Sequence, residues 1–340
     1  MTRVLPALAI GLLLAGLAGC GVSATPGGAP AHPPPLFHLP ADQAAHPSTH
    51  NEWWYVVGHV DQGKQRFGYE VTIFRFHQVK LPGFNIPLSI FRTDVAITDE
   101  TGERFSHKVT EVFPQEATAS TSVLDVRAGP ATLTGSSPAD MRVHATLPGG
   151  TINLHLNSEA PPLAVGGRGY ISLGNGYSYY YSLTDLASHG TIDYNGHTFR
   201  VHGISWLDHQ WGNWAWTSIR GWTWMALQLT DGRQLSLFDF RGTHSRVRQA
   251  NLLTAGGETK VAQNVTIEPI TNWRSPVTLA NYPSGWKIRI PAFNAKLTVE
   301  PSVRDQEVTL PEDLAGSYWE GSGQVSGTLG GKRVKGYSYT

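Results

Sequence analysis

The sequence predicts an all-β protein, and three features of the chain support this fold class. Residues 69–76 and 151–156 alternate apolar with polar side chains and are rich in β-branched and aromatic types, which is typical of half-buried strands. Turn sequences such as Asn195-Gly196 and Asp231-Gly232 recur at short intervals. From residue 52 onward, no segment has the apolar period of a helix of useful length. Many short strands joined by regular turns favour a barrel or a sandwich.

The first 46 residues predict export and a lipid anchor. Arg3 precedes an apolar run over residues 4–17, which is too short to span a bilayer core of about 30 Å comfortably. The sequence Leu-Ala-Gly-Cys follows and ends at Cys20, the only cysteine of the chain. Residues 1–19 therefore look like a signal peptide that ends in a bacterial lipobox, which implies cleavage before Cys20 and its acylation. An ordinary secretory signal with an incidental cysteine is the alternative.

The predicted lipid anchor indicates where the protein works. Residues 20–46 are rich in Pro, Gly and Ala and are expected to form an extended linker. The chain has 26 basic and 26 acidic residues, so it lacks the basic surface that nucleic-acid binding requires. We expect a monomer in the cell envelope, held by the lipid at Cys20. Gly21 follows that cysteine, which by resemblance to sorted lipoproteins favours the periplasmic face of an outer membrane, where the host has one.

The rest of the chain is long enough for two domains, predicted over residues 47–215 and 216–340. A faint internal repeat supports the division. The aromatic sequence Trp53-Trp54-Tyr55 leads into a turn and then into a strand that ends Phe-Arg-Phe. Trp222-Thr223-Trp224 leads in the same way to a strand that ends Phe-Asp-Phe. Each half therefore opens with a hairpin of the kind that begins a β-barrel.

Three motifs in fixed order resemble a known family. They are His50-Asn51-Glu52-Trp53-Trp54-Tyr55, the segment Gly-Ile-Ser-Trp-Leu-Asp-His-Gln-Trp-Gly over residues 203–212, and Tyr318-Trp319-Glu320-Gly321. Together they resemble the AttH-like and carotenoid 1,2-hydratase-like proteins, often labelled secreted hydrolases, over residues 47 to 340. The resemblance implies two lipocalin-like β-barrels packed side by side, with a pocket for a hydrophobic small molecule.

Asp208 is the candidate catalytic acid. Trp206 and Asp208 share one face of a predicted strand, and Tyr177, Tyr179 and Tyr181 share a face of another. If these strands are neighbours, burial among the rings raises the pKa of Asp208 and keeps it protonated near neutral pH. The rings would stabilise a carbocation. The resemblance implies that the catalytic positions of the hydratases fall on Asp208, Trp206, Tyr179 and Tyr181, with Tyr179 in place of a histidine.

The remaining candidates have both a functional and a structural interpretation. The candidate ligand-binding residues are Glu52, Trp54, Tyr177, His209, Gln210 and Trp211. Alternatively, Asp208 bonds local backbone amides, Glu52 pairs with an arginine, and His209 and Gln210 form hydrogen bonds between the domains. Neither a His-Glu-x-x-His motif nor a tight histidine cluster occurs in the sequence, so we expect no metal and no cofactor.

The sequence leaves several functions open. The first is an acid-catalysed hydratase or cyclase that acts on an isoprenoid- or acyl-like molecule, with Asp208 as proton donor. The second is a carrier that binds such a ligand without turnover, and the third is a scaffold whose barrels are filled by side chains. A secreted hydrolase is the function that the family label suggests, although the sequence has no Gly-x-Ser-x-Gly elbow.

Overall fold

The computed structural model describes residues 37–79, 88–173, 176–243, 245–310 and 316–340. The predicted signal peptide, Cys20 and most of the linker lie outside these residues. The described part is built of antiparallel strands, which confirms the all-β class. Its helices are short 3-10 turns, and none is long and apolar enough to cross a membrane. They are Ala41–Gln43, Pro114–Glu116, Val165–Gly167, Trp216–Ser218 and Pro291–Phe293.

The first sheet contains thirteen of the described strands and curves into a nearly closed barrel. They are β1 (Asn51–Gln62), β2 (Gln65–Val79), β3 (Leu88–Asp99), β4 (Arg104–Val112), β5 (Ala117–Ala119), β6 (Leu124–Ala128), β7 (Ala131–Ser137), β8 (Asp140–Leu147), β9 (Gly150–Ser158), β10 (Leu163–Ala164), β11 (Tyr170–Leu173), β12 (Gly176–Tyr194) and β13 (His197–Asn213). The order is β4-β3-β2-β1-β13-β12-β9-β8-β7-β6-β5, and β10 and β11 also pair with β12. The long strand β13 therefore lies between β1 and β12.

The second sheet contains nine of the described strands and forms a half-barrel beside the first. They are β14 (Ile219–Leu229), β15 (Gln234–Gly242), β16 (Arg246–Leu253), β17 (Thr259–Ala262), β18 (Thr266–Arg274), β19 (Asn281–Ile290), β20 (Ala295–Pro301), β23 (Ser322–Leu329) and β24 (Lys332–Tyr339). The order is β17-β16-β15-β14-β24-β23-β20-β19-β18. A small sheet pairs β21 (Glu307–Val308) with β22 (Tyr318–Trp319). This side-by-side arrangement confirms the lipocalin-like fold.

The turn sequences lie where the strands reverse. Asn195-Gly196 joins β12 to β13, and both residues have positive φ, 51° and 81°. This is the conformation of a two-residue type I′ hairpin turn, which Asn-Gly favours because both residues tolerate positive φ. The turn sets the register of β12 against β13, so it determines which of their side chains share a face.

Strand β1 over residues 51–60 and strand β13 over residues 205–212 are buried on both faces. Trp54 and Val56 of β1 point into the core of the first barrel, whereas Trp53, Tyr55 and Val57 face the second sheet. Successive side chains of a strand point to opposite faces. A strand covered on both faces therefore reads as a continuous apolar run, as residues 53–57 do. The contact between the two sheets forms a core of its own, separate from the core of each barrel.

Candidate active site

Asp208 lies on β13, faces the second sheet, and exposes only 2% of its surface. Ser182 Oγ and Trp206 Nε1 each donate a hydrogen bond to Asp208 Oδ1 at 2.6 Å. Tyr180 Oη donates to Asp208 Oδ2. Trp224 Nε1, from the second sheet, donates to Tyr180 Oη at 2.9 Å. Residues of both sheets therefore build the surroundings of this carboxyl group.

The pKa of Asp208 is raised, as the sequence predicts. Burial moves it from 3.8 to about 6, although the hydrogen bonds from Ser182, Tyr180 and Trp206 favour the charged form. The sequence predicts that Asp208 stays protonated near neutral pH, and this is wrong. With a pKa of about 6, the neutral acid is the minor form, on the order of one molecule in ten at pH 7. The correction has a physical reason, because three donors stabilise the carboxylate. Asp208 nevertheless exchanges its proton close to neutral pH.

The tyrosines predicted to face Asp208 lie on the other face of the sheet. Asp208 pairs directly with Ser182 across β12 and β13. Opposed residues of antiparallel strands share a face and side chains alternate along each strand, so Tyr177, Tyr179 and Tyr181 point to the barrel side. The predicted contact of Asp208 with Tyr179 and Tyr181 is therefore wrong. A one-residue difference in register moves every side chain to the opposite face, and the spacing alone did not fix that register.

Other rings take the place of those tyrosines. Trp206 contacts Asp208 as predicted, and Tyr180 is the tyrosine that bonds to it. Tyr55 lies directly opposite Asp208 on β1. The ring of Trp224 stands edge-on to Tyr55 at 5.0 Å and to Trp206 at 6.3 Å between centroids. The carboxyl group is therefore surrounded by aromatic rings as predicted, but they come from β1, β12, β13 and β14.

The remaining aromatic candidates pack on the barrel side. Trp54 and Tyr181 are buried in the core of the first barrel. Trp211 is stacked on Tyr179 with 5.4 Å between ring centroids. The ring of Tyr177 meets Tyr179 edge-on at 5.8 Å. These five side chains lie on the barrel side, and the surroundings of Asp208 lie on the opposite side of the same strands.

A second buried polar cluster lies on that barrel side, around Glu52. Arg75 Nη2 lies 2.7 Å from Glu52 Oε2, which confirms the alternative in which Glu52 pairs with an arginine. His209 Nε2 and His46 Nδ1 lie 3.0 and 2.8 Å from Glu52 Oε1. His209 Nδ1 donates to the backbone oxygen of Asp42 at 2.9 Å. His209 therefore bonds on the barrel side, and its predicted hydrogen bond between the domains is wrong.

His46, Glu52 and His209 form the kind of cluster that can hold a metal, since their ligand atoms lie within 4.8 Å of one another. The sequence does not reveal it, because His209 lies 157 residues from Glu52 in the chain. Burial opposes ionisation of Glu52, but hydrogen bonds from His209 and His46 lower its pKa to about 2. Arg75 already pairs with this carboxylate. The adjacent guanidinium charge disfavours a cation, so the contacts support a hydrogen-bonded ion cluster.

Exposed aromatic side chains lie on β14, the strand that carries Trp224 close to Asp208. Trp224 and Glu320 are partly exposed, and Trp222 exposes 43% of its surface. Gln210, a predicted ligand-binding residue, is buried on the same face of β13 as Asp208. Two surface grooves, of about 290 and 250 Å³, lie elsewhere and do not have Asp208 in their lining. The ligand pocket stays a prediction.

Glu320 is the acidic residue whose role the sequence reasoning missed. Tyr55 Oη donates a hydrogen bond to its carboxylate. Burial of the carboxyl raises the pKa of Glu320 to about 7, with the charges of Asp94 and Asp208 adding to the rise. Glu70 on β2 also has a raised pKa, because it is buried near Glu320 and Asp94. The third sequence motif contained Glu320, but its partner Tyr55 lies 265 residues away.

Comparisons with known proteins agree with this architecture. A family model described as AttH-like matches residues 30–339. The crystal structure of an AttH protein of Nitrosomonas europaea is 28% identical, with a TM-score of 0.79 over 92% of this chain and 98% of that one. Kievitone hydratase of Nectria haematococca is 20% identical, with a TM-score of 0.71 over 92% and 93% of the two chains. At that identity the likeness shows the fold alone.

One curated relative carries an enzyme name. Dehydratase asqC of Emericella nidulans is 26% identical over 208 residues. The match covers 58% of this chain and 59% of the dehydratase, so the chain spans about three fifths of the length of that relative.

Proposed function

The chain belongs to the AttH-like family, and we propose that it is a hydratase or dehydratase acting on a hydrophobic small molecule. The observation that carries the proposal is the buried carboxyl group of Asp208, which has a pKa of about 6 and lies among aromatic rings of both sheets. Kievitone hydratase shares the fold and dehydratase asqC shares part of the sequence. Both names describe the addition or removal of water.

Asp208 moves the proton that accompanies water. In dehydration the neutral acid of Asp208 donates a proton to the leaving hydroxyl group. In hydration the carboxylate accepts a proton from the attacking water. Its pKa of about 6 suits both directions, because neither form is rare near neutral pH. Positive charge develops on carbon when the carbon–oxygen bond breaks in dehydration and when the double bond is protonated in hydration. Trp206, Trp224 and Tyr55 can stabilise that charge by about 2 kcal/mol per well-placed ring in a dry site.

The proposed substrate class follows from the exposed aromatic side chains of β14. Trp222 and Trp224 are exposed enough to meet a ligand, and both are apolar over most of their surface. These side chains suit an isoprenoid- or acyl-like molecule. A cyclase reaction, the other form of the proposal, also begins when an acid protonates the substrate. Carotenoid hydration is the narrower form of the proposal. Tyr179, which stands where the family resemblance expects a histidine, faces the barrel side, away from Asp208.

The test compares Asp208→Asn with the wild type. Each protein is incubated with an apolar extract of its host cells, and mass spectrometry follows products that gain or lose one water. Loss of the acid should lower turnover by roughly 100-fold or more. Asp239→Asn is the matched control, because Asp239 is also buried but its partners are Arg246 and Arg248. Equal conversion by wild type and Asp208→Asn would contradict the proposal.

A carrier without turnover is the second candidate. The observation that favours it is the full set of three donors around Asp208, since structural aspartates are satisfied in the same way. A carrier would retain its ligand in the Asp208→Asn variant and return it unchanged. A secreted hydrolase, the third candidate, would instead release two fragments from one substrate.

The proposal includes a place in the cell. It makes the protein a monomeric lipoprotein of the cell envelope, held by an acylated Cys20, on the periplasmic face of an outer membrane where the host has one. The support is the lipobox-like sequence that ends at Cys20 and the balance of 26 basic and 26 acidic residues, which gives no excess of positive charge to bind anionic lipid.

A further inference from the structure

Glu320, in the connection between β22 and β23, and Asp208 of β13 approach the same aromatic rings. Tyr55 Oη donates to Glu320, and Tyr55 is the residue directly opposite Asp208 in the pairing of β1 with β13. The Trp224 ring packs edge-on against Tyr55 at 5.0 Å. Its indole nitrogen donates to Tyr180, which in turn donates to Asp208. The two carboxyl groups therefore flank the ring of Trp224, one through Tyr55 and the other through Tyr180.

The two carboxyl groups have opposite hydrogen-bond environments. Asp208 accepts from three donors, and the indole N–H of Trp206 can only donate, so this site favours a carboxylate. Glu320 accepts from Tyr55 but has acidic neighbours. Like charges in one buried site resist joint ionisation, so the pair retains one proton over a range of pH. The titratable groups that face the pair are Tyr55 of β1, Glu70 of β2, Arg92 and Asp94 of β3, Tyr180 of β12, Tyr318 of β22 and Tyr339 of β24.

We infer that Glu320 is a second catalytic residue, which transfers the proton on carbon while Asp208 transfers the proton on oxygen. This inference rests on the proposed function. In dehydration, the neutral Asp208 gives its proton to the hydroxyl group and the carbon–oxygen bond breaks, releasing water. The Glu320 carboxylate then takes a proton from the neighbouring carbon, and the electrons of that carbon–hydrogen bond form the double bond. Afterwards Asp208 is ionised and Glu320 is neutral.

Hydration runs the same steps backwards. The neutral Glu320 protonates the double bond, the carbocation takes up water, and the Asp208 carboxylate accepts the proton that water loses. The pair begins and ends each reaction with one proton, so no other reactant is needed.

Turnover of a defined probe tests the role of Glu320. Linalool loses water to give myrcene, and the wild-type rate should have a bell-shaped pH dependence with limbs near the pKa values of about 6 and about 7. Glu320→Gln should dehydrate linalool roughly 100-fold more slowly and lose the acid limb, since no carboxylate is then required. Tyr55→Phe removes a hydrogen bond that lowers the pKa of Glu320. The alkaline limb lies at the higher of the two pKa values, which is that of Glu320, so it should move to higher pH. Asp239→Asn should keep the wild-type profile.

A titration separates this inference from the proposed function. NMR of carboxyl-labelled glutamate follows the ionisation of Glu320 without any substrate. In Asp208→Asn the pKa of Glu320 should fall, because the charge of Asp208 that raises it is gone, and in Asp239→Asn it should not change. A wild type that converts nothing would overturn the proposed function. An active wild type overturns the role of Glu320 alone if its Glu320→Gln variant keeps the rate or the profile, or if its Asp208→Asn variant keeps the titration of Glu320.

Discussion

The buried Asp208 should make the folded protein less stable at neutral pH, and Asp208→Asn should reveal it. The folded state raises the pKa of this carboxyl from 3.8 to about 6, so it holds the proton more tightly than the unfolded chain does. As pH rises from 3.8 to about 6, the unfolded state releases its proton first and the folded state loses relative stability. This rise in pKa corresponds to roughly 3 kcal/mol of folding stability, which the wild type loses over that pH range. Asparagine does not ionise, so the variant keeps that stability.

Urea unfolding, followed by tryptophan fluorescence across this pH range, measures the effect. The free energy of unfolding of Asp208→Asn, relative to the wild type, should grow by roughly 3 kcal/mol between the two pKa values and then level off. The amide also changes hydrogen bonds, but that contribution is independent of pH and leaves the slope intact. Asparagine fits the site, because its oxygen can accept from Ser182 and Trp206 while its amino group donates to Tyr180.

Asp239→Asn provides a control with the opposite sign. Burial opposes ionisation of Asp239, but hydrogen bonds from Arg246 and Arg248 hold its pKa below 3.8. Its carboxylate therefore stabilises the fold above that pH, and the stability is lost as pH falls through the lowered pKa. The asparagine variant should become less stable than the wild type as pH rises. If Asp208→Asn behaves in the same way, or shows no pH dependence, Asp208 is a structural aspartate and the reasoning is refuted.

Three further outcomes are expected, two from contacts of the structure and one from the sequence around Cys20. Arg75→Ala leaves a buried carboxylate without its arginine and should cost about 3–5 kcal/mol in urea unfolding, whereas Arg127→Ala, in an exposed pair, should change stability by less than about 0.5 kcal/mol. Tyr180→Phe removes a donor to the candidate acid, so the acid limb of the rate profile should move to higher pH, and Tyr179→Phe should leave it in place. Cys20→Ser should abolish acylation, seen by mass spectrometry, and release the protein from the membrane fraction; an unchanged mass and distribution would sink the lipoprotein proposal.

Strand patterning made the fold class predictable. Alternation over residues 69–76 lies within β2, and the Asn195-Gly196 turn joins β12 to β13 as the sequence indicates. Both signals are local, because side-chain period and turn chemistry depend on a few neighbouring residues. Trp206 beside Asp208 was predictable for the same reason, since residues two apart on one strand share a face.

The rest of the site depends on contacts that spacing does not encode. The sequence predicts Tyr179 and Tyr181 beside Asp208, but the pairing of β12 with β13 brings Tyr180 there. Glu320 joins the site only because the second sheet packs against the first, and its partner Tyr55 belongs to the opening strand of the chain. Register and sheet packing are properties of the whole fold, so a single strand read alone could not supply them.

The double burial of β13 explains how one strand serves two polar networks without mixing them. Asp208 faces the second sheet, while His209, the next residue, faces the barrel and bonds to Glu52. Because side chains alternate between the two faces of the strand, the ion cluster of Glu52 and Arg75 is kept apart from the carboxyl group of Asp208. The neighbours of Asp208 are mainly aromatic rings and hydroxyl donors. The carboxylate of Glu52 has a pKa of about 2 and stays charged near neutral pH, whereas the carboxyl group of Asp208 exchanges its proton near pH 6. Only the second arrangement suits reversible proton transfer, so the candidate site belongs on the face that the two sheets share.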